Sequence, residues 1–129
     1  MHYLSSRRSE SFHQSIDCGI WEGATVTYAA MQLAYYMGFK AVVLVGVDHN
    51  FTTQGDPHKL VVESDEDNNH FHPNYFGKGC KWQLPDLETS ERAYRLARAA
   101  YEADGRSILD ATVDGKLNVF DKVKFANLF

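Results

Sequence analysis

The sequence predicts an α/β fold built on a short parallel sheet, and three observations lead to this prediction. Apolar residues recur at helical spacing over residues 26–37. A continuous aliphatic run at 41–45 follows at once, which is typical of a buried parallel strand. A second helical pattern over 87–104 leads into another aliphatic segment. Strands that alternate with helices favour parallel crossovers over an antiparallel sheet.

The first helix is expected to begin near residues 23–25 and to end at Gly38. Thr25 is a suitable N-cap, because a threonine hydroxyl accepts hydrogen bonds from free amides of the first turn. Glycine is favoured just beyond a helix C-terminus. The apolar face predicted for this helix consists of Val26, Ala30, Leu33 and Met37. The strand that follows, 41–46, is predicted to be the central parallel strand.

The second helix is expected to be capped by Asp86 and to end at Gly105. Its charged pairs Glu88/Arg92 and Glu91/Arg95 are spaced for salt bridges between successive turns. Its predicted apolar face consists of Ala93, Leu96, Ala97 and Ala100. Further short strands are predicted at 2–4, 108–111 and 117–120. The long polar segment 48–86 reads as a functional or mobile loop.

Three or four strands are fewer than the roughly five or six of a complete nucleotide-binding sheet. We therefore expect residues 1–129 to form a single α/β domain with a short or partial parallel sheet. The domain is either a minimal sheet or the C-terminal part of a larger fold. A short sheet leaves an edge to cover, so a homo-oligomer is expected.

Composition sets the broad class of protein. Of 129 residues, 44% are hydrophobic and 23% are charged, which is ordinary for a globular domain. The net charge of −4 argues against a nucleic-acid or membrane-surface partner. The two cysteines form no CxxC pair, and no apolar run is long enough to insert into a membrane. The expected location is the cytoplasm.

The segment Glu22–Thr27 is the first candidate site. Gly23 and Ala24 followed by Thr25 and Thr27 put backbone N–H groups and hydroxyls at the positive end of a helix dipole, which is where anions bind. The alternative is an ordinary helix cap with small residues for close packing. The motif is neither a P-loop nor GxGxxG.

Asp48 and His49 form the second candidate site, just past the carboxyl end of strand 41–46. Open α/β sheets bind ligands at this end of their strands. A helix that begins at residue 24 starts from the same end, so Gly23, Thr25 and Thr27 should share a pocket with Asp48. Asp48 would accept a hydrogen bond from a sugar hydroxyl or orient a base. The alternative is that it caps a turn.

The third candidate site is the motif His70-Phe71-His72. Imidazole titrates near neutrality, so either histidine is a candidate general base. Two histidines at this spacing can also bind a metal together with Asp48 or His49. A polar loop whose histidines have no role is the remaining alternative.

The segments Gly23-Ala24-Thr25-Val26-Thr27, residues 32–40 and Leu44-Val45-Gly46-Val47-Asp48 together resemble the 6-hydroxymethylpterin diphosphokinase-like family. That family is related to bacterial sialyltransferases and to glycosyltransferases that modify flagellin and surface glycans. The resemblance covers about residues 18–112.

This resemblance implies a Rossmann-like fold with a short or partial three-layer parallel sheet, in which residues 1–129 would be the C-terminal part of the larger family fold. It also implies that the domain binds a nucleotide or a nucleotide sugar. It implies that Gly23, Thr25 and Thr27 lie near the phosphates or the nucleotide, together with Ala24 and His49. Asp48 would lie at the switch point of the sheet, and His70 or His72 where the sialyltransferases keep their catalytic base.

Three functions are consistent with these features. The first is sialyltransferase-like glycosyl transfer in surface glycan biosynthesis, with a nucleotide sugar as donor and Asp48, His70 and His72 as catalytic candidates. The second is a pterin diphosphokinase-like transferase, which would need ATP and Mg²⁺ held by carboxylates. The third is a non-catalytic binding or assembly module. A bound metal ion, Mg²⁺, is expected only for the second of these functions.

Overall fold

A computed structural model describes residues 3–50, 60–62, 81–83 and 85–128. They form a mixed α/β fold, in agreement with the predicted class. The elements in chain order are α1 (Val26–Tyr36), β1 (Ala41–Leu44), β2 (Leu60–Val62), β3 (Lys81–Gln83), α2 (Leu87–Ala103), β4 (Ser107–Asp110) and β5 (Asp121–Lys122), followed by a 3-10 turn at Phe125–Asn127.

In the described part of the chain, the main sheet has three parallel strands in the order β1-β4-β5. Ala41 lies opposite Ser107, and Leu44 lies opposite Asp110. The parallel direction predicted for β1 is confirmed, but its predicted central position is wrong within the described residues. The middle strand is β4, because β5 pairs with it on the side away from β1. Strands β2 and β3 form a separate antiparallel pair.

Two of the predicted short strands are not found among the residues that the structure describes. The segment 117–120 is irregular, although Leu117, Val119 and Phe120 are all buried. The strand β5 begins directly after this segment, at Asp121. The apolar residues of this segment are therefore explained by their burial in the core and not by pairing with a neighbouring strand. Residues 3 and 4 are also outside any strand, and the nearest pairing is an isolated bridge between Ser6 and Ile20.

The helix ends follow the sequence closely. Thr25 has an extended backbone, and its hydroxyl accepts a hydrogen bond from the Thr27 amide. Gly38 follows the C-cap with a φ of +88°, a left-handed conformation that favours glycine. In α2, an Asp86 carboxylate oxygen accepts from the Thr89 amide. All three predicted boundary residues therefore have their expected roles.

The predicted apolar face of α1 is wrong. Val26 and Met37 are 83% and 69% exposed, whereas the buried side chains are Tyr28, Met31, Gln32 and Tyr35. Leu96 in α2 is likewise exposed, and Tyr94 and Tyr101 are buried instead. Tyrosine rings bury large apolar areas once the hydroxyl has a partner.

The buried tyrosine hydroxyls do have partners. Tyr101 donates to the Met31 carbonyl oxygen at 2.8 Å, and Tyr28 donates to that of Ser11 at 3.1 Å. These bonds join α2 to α1 and α1 to the irregular N-terminal segment. They remove the cost of burying a hydroxyl, so tyrosines take core positions that an aliphatic stripe does not reveal.

Both helices pack on one face of the sheet. Residues of α1 and α2 share a single buried cluster with Leu44 of β1 and Ile108 of β4. Val43 and Val45 alternate with Leu44 and are partly exposed. The described residues therefore form two layers, helices over sheet. None of the helices in this part of the chain combines the length and apolar content needed to cross a bilayer.

Candidate functional site

A cavity of about 300 Å³ opens where α1 begins and β1 ends. It is bounded by the start of α1, by the segment that follows β1 and by the first turns of α2. The described residues that line it are Ala24, Thr25, Thr27, Gly46, Val47, Asp48, His49, Asn50, Pro85, Leu87, Ser90 and Tyr94. The convergence predicted from a parallel crossover is thus observed.

Most of the predicted site residues meet at this cavity. Ala24, Thr25, Thr27, Asp48 and His49 all line it. Gly23 is buried next to it and is not among its lining residues. The candidates His70 and His72 lie outside the described residues.

Gly23 is required by packing. Its φ is +60°, and a Cβ built on it would lie 2.5 Å from the Ala93 Cβ and 2.6 Å from Tyr28 Cδ1. Such distances leave no room for a side chain, so the backbone at the start of α1 touches the middle of α2 directly. Gly23 sets the position of the cavity wall.

Thr25 joins the two helices at the cavity. Besides capping α1, its hydroxyl lies 3.3 Å from the Tyr94 hydroxyl of α2. The Thr25 amide donates to the Glu22 carbonyl oxygen at 3.2 Å, so this amide is already satisfied. Within the described residues, the amides of Ala24 and Val26 have no backbone acceptor. These two groups remain as donors at the positive end of α1.

Hydrogen bonds join the segment after β1 to the segment after β4. The Val47 amide donates to the Thr112 hydroxyl at 3.1 Å, and the Asp48 carbonyl oxygen accepts from the Lys116 amide at 2.7 Å. Thr112 is itself held by its amide, which donates to an Asp110 carboxylate oxygen at 2.8 Å. Neighbouring parallel strands therefore fix the residues that line the cavity.

The buried carboxylate of Asp110, at the end of β4, stabilises this arrangement. Its side chain is fully buried, and the Lys122 ammonium lies 2.6 Å from a carboxylate oxygen. Burial favours the neutral acid, but the hydrogen bonds from Lys122 and Thr112 outweigh it and lower the pKa of Asp110 below its ordinary value. The carboxylate is therefore charged at neutral pH and has a structural role.

His49 is a largely enclosed imidazole that lines the cavity. Its side chain is 11% exposed, and its Nε2 lies 3.8 Å from a Glu91 carboxylate oxygen. Its ring packs near that of Tyr94, with centroids 6.1 Å apart. Burial lowers the pKa of His49, and Glu91 offsets this only in part. The imidazole is therefore neutral at pH 7 and retains one nitrogen lone pair.

The residues that sequence reasoning missed come from the start of α2. Ser90 and Tyr94 line the cavity, and Glu91 contacts His49. The expected i,i+4 contact of Glu91 with Arg95 is present, as is that of Glu88 with Arg92. No local pattern distinguishes Glu91 from Glu88, because only the packing of α2 against the segment after β1 brings Glu91 to His49.

Within the described part of the chain, no three acidic, histidine or cysteine side chains are grouped so as to hold a metal ion. Comparison of the chain with family models, with curated proteins and with solved structures found no match.

Proposed function

We propose that this cavity binds a nucleotide sugar and that the chain is a Rossmann-like transferase of the sialyltransferase-like type. The observation that carries the proposal is the meeting of the α1 N-terminus with Asp48 and His49 around one cavity. Helix N-termini favour anions, and the carboxyl ends of parallel strands are the usual ligand edge of an α/β sheet.

The start of α1 suits the phosphates of such a ligand, and the segment after β1 suits its sugar. The amide of Ala24 and the side chain of Thr27 line the cavity and offer donors for phosphate oxygens. The Asp48 carboxylate is an acceptor for sugar hydroxyls. A cavity of about 300 Å³ is at the lower end of the range for small-molecule sites.

The direct test is binding of donor molecules by calorimetry to the whole chain. The panel contains CMP-, UDP- and GDP-linked sugars, the corresponding free nucleotides, and ATP with Mg²⁺. Tight binding of one nucleotide sugar, followed by its hydrolysis or transfer, supports the proposal. Preference for ATP with Mg²⁺ would support the pterin diphosphokinase-like alternative instead.

A matched pair of variants locates the ligand. Thr27→Val keeps the shape of the side chain and leaves the Thr25 cap intact, but removes a hydroxyl that lines the cavity. Loss of one hydrogen bond predicts binding weaker by about tenfold. The control is Val26→Thr, at an exposed neighbour that does not line the cavity. Equal affinities in both variants, or no binding by the unaltered chain, would contradict the site.

A further inference from the structure

The structure describes two histidines with their side chains, and they have different surroundings. His13 lies near the N-terminus, where its ring contacts the Ser11 hydroxyl at 3.1 Å. His49 lines the cavity and contacts Glu91. Of these two imidazoles, only that of His49 can reach a ligand bound between the start of α1 and the start of α2.

Glu91 is held so that it can orient the His49 ring. One of its carboxylate oxygens accepts a hydrogen bond from Arg95, and the other lies 3.8 Å from His49 Nε2. A carboxylate beside one ring nitrogen favours the proton on that nitrogen. The lone pair is then on Nδ1.

We propose that His49 is the general base of this cavity and that Glu91 is its positioning residue. The inference rests on the proposed function and assigns a role that the sequence reasoning gave to His70 or His72. From the sequence, His49 was a candidate contact to the nucleotide or a candidate metal ligand. The structure shows that His49 lines the cavity, contacts the Glu91 carboxylate and is largely buried.

The backbone supports this assignment. Three described residues other than glycine have a positive φ, and two of them, Ala24 at +58° and His49 at +53°, line the cavity. Left-handed backbone at a non-glycine residue is strained, and such residues are concentrated at functional sites. The fold holds His49 in this conformation through the bonds of Val47 and Asp48 to the segment after β4.

The reaction step is a displacement at the anomeric carbon of the donor sugar. The oxygen of an acceptor hydroxyl forms a bond to that carbon, while the bond from the carbon to the phosphate oxygen breaks. The electron pair leaves with the phosphate of the nucleotide, and the hydroxyl proton passes to Nδ1 of His49. The products are a glycoside, a nucleotide and an imidazolium that Glu91 stabilises.

The groups facing His49 determine the pH dependence of this step. Among the described residues these are the Glu91 carboxylate, which also contacts Arg95, and the Tyr94 ring, both from α2. Asp48 is the neighbouring charged group in its own segment. Burial lowers the pKa of His49 below 6.5, so the base is neutral at pH 7. Turnover should fall only as the pH drops through that lowered value.

The first experiment compares His49→Asn with His13→Asn in the whole chain. Asparagine tolerates a positive φ, so the exchange keeps the backbone at residue 49. With the nucleotide sugar found in the panel, we expect kcat for hydrolysis or transfer to fall by about 10²-fold or more in His49→Asn. Donor affinity should change little, and His13→Asn should retain both values.

The second experiment compares Glu91→Gln with Glu88→Gln. Both residues form an i,i+4 ion pair on α2, but only Glu91 contacts His49. Since the Glu91 carboxylate raises the pKa of His49, its removal should shift the acidic limb of the pH profile of kcat to lower pH. Nitrogen-15 chemical shifts of His49 should also show loss of the Nε2–H preference. Glu88→Gln should alter neither.

The outcomes separate the base role from the proposed function. Failure of the unaltered chain to bind any nucleotide sugar contradicts both. Normal binding and turnover with wild-type kcat in His49→Asn contradicts the base role alone. The same conclusion would follow if His70→Ala or His72→Ala abolished turnover while His49→Asn did not.

Discussion

The backbone of Gly23 lies so close to Ala93 that a Cβ at residue 23 would stand 2.5 Å from the Ala93 Cβ. Seventy residues separate the two along the chain, and this contact brings the start of α1 against the middle of α2. The distance between the two helices at the cavity therefore depends on a residue without a side chain.

Gly23→Ala should destabilise the fold strongly. The new methyl group would overlap Ala93 and Tyr28, and residue 23 would also keep an unfavourable positive φ. We expect a loss of at least about 3 kcal/mol in the free energy of unfolding, measured with urea. The control is Gly38→Ala, where φ is +88° but nothing lies within 4 Å of the added Cβ. It should cost only about 1–2 kcal/mol, and equal losses would disprove the packing argument.

Thr25→Ala should remove the cap of α1. The hydroxyl that accepts from the Thr27 amide is lost, and the Tyr94 hydroxyl loses its neighbour. The expected cost is about 1 kcal/mol in thermal or urea unfolding. Thr25→Ser keeps the hydroxyl and should recover most of this loss. If serine were as destabilising as alanine, the stability would depend on the threonine methyl group instead.

Asp110 should make the stability sensitive to acid. Its pKa in the folded protein lies below the ordinary value of 3.8, because Lys122 and Thr112 bond to the carboxylate. This stabilisation is complete above the unfolded-state pKa and is lost as the pH falls through the lower folded value. Unfolding measured from pH 7 to pH 2 should therefore show a decline below about pH 4.

Asp110→Asn tests the assignment of that decline. At pH 7 the variant should lose about 2 kcal/mol, because Lys122 loses a charged partner. The difference from the unaltered chain should shrink in acid. Asp114→Asn is a matched control on the same segment, since Asp114 is exposed and its positive φ suits asparagine. A difference independent of pH would contradict the electrostatic origin.

We expect the chain to self-associate through the free side of β1. Among the described residues β1 has a strand partner on one side only, and Val43, within β1, has an exposed side chain. Val43→Lys should shift light-scattering masses toward the monomer, because a charge on an edge strand opposes pairing. Val113→Lys, at an exposed valine in a turn, is the control. A monomer at high concentration for the unaltered chain would refute the prediction.

Local chemistry explains which features the sequence predicted correctly. Thr25, Gly38 and Asp86 act within a few residues of their own position, so their capping roles are visible without a fold. The parallel direction of β1 follows from its place between two helices. That direction brings Thr27 and Asp48 to one edge of the sheet. The family resemblance and the catalytic roles of His70 and His72 stay predictions.

The sequence by itself determined where α1, β1, α2 and β4 lie and which end of the sheet carries the cavity. Only the tertiary structure decided that tyrosines rather than aliphatic residues face the core, that β4 is the middle strand, and that Glu91 rather than Glu88 meets His49. The physical reason is the separation along the chain of the residues that interact. Caps and strand direction depend on bonds between near neighbours, whereas burial and side-chain pairing depend on how distant segments pack together.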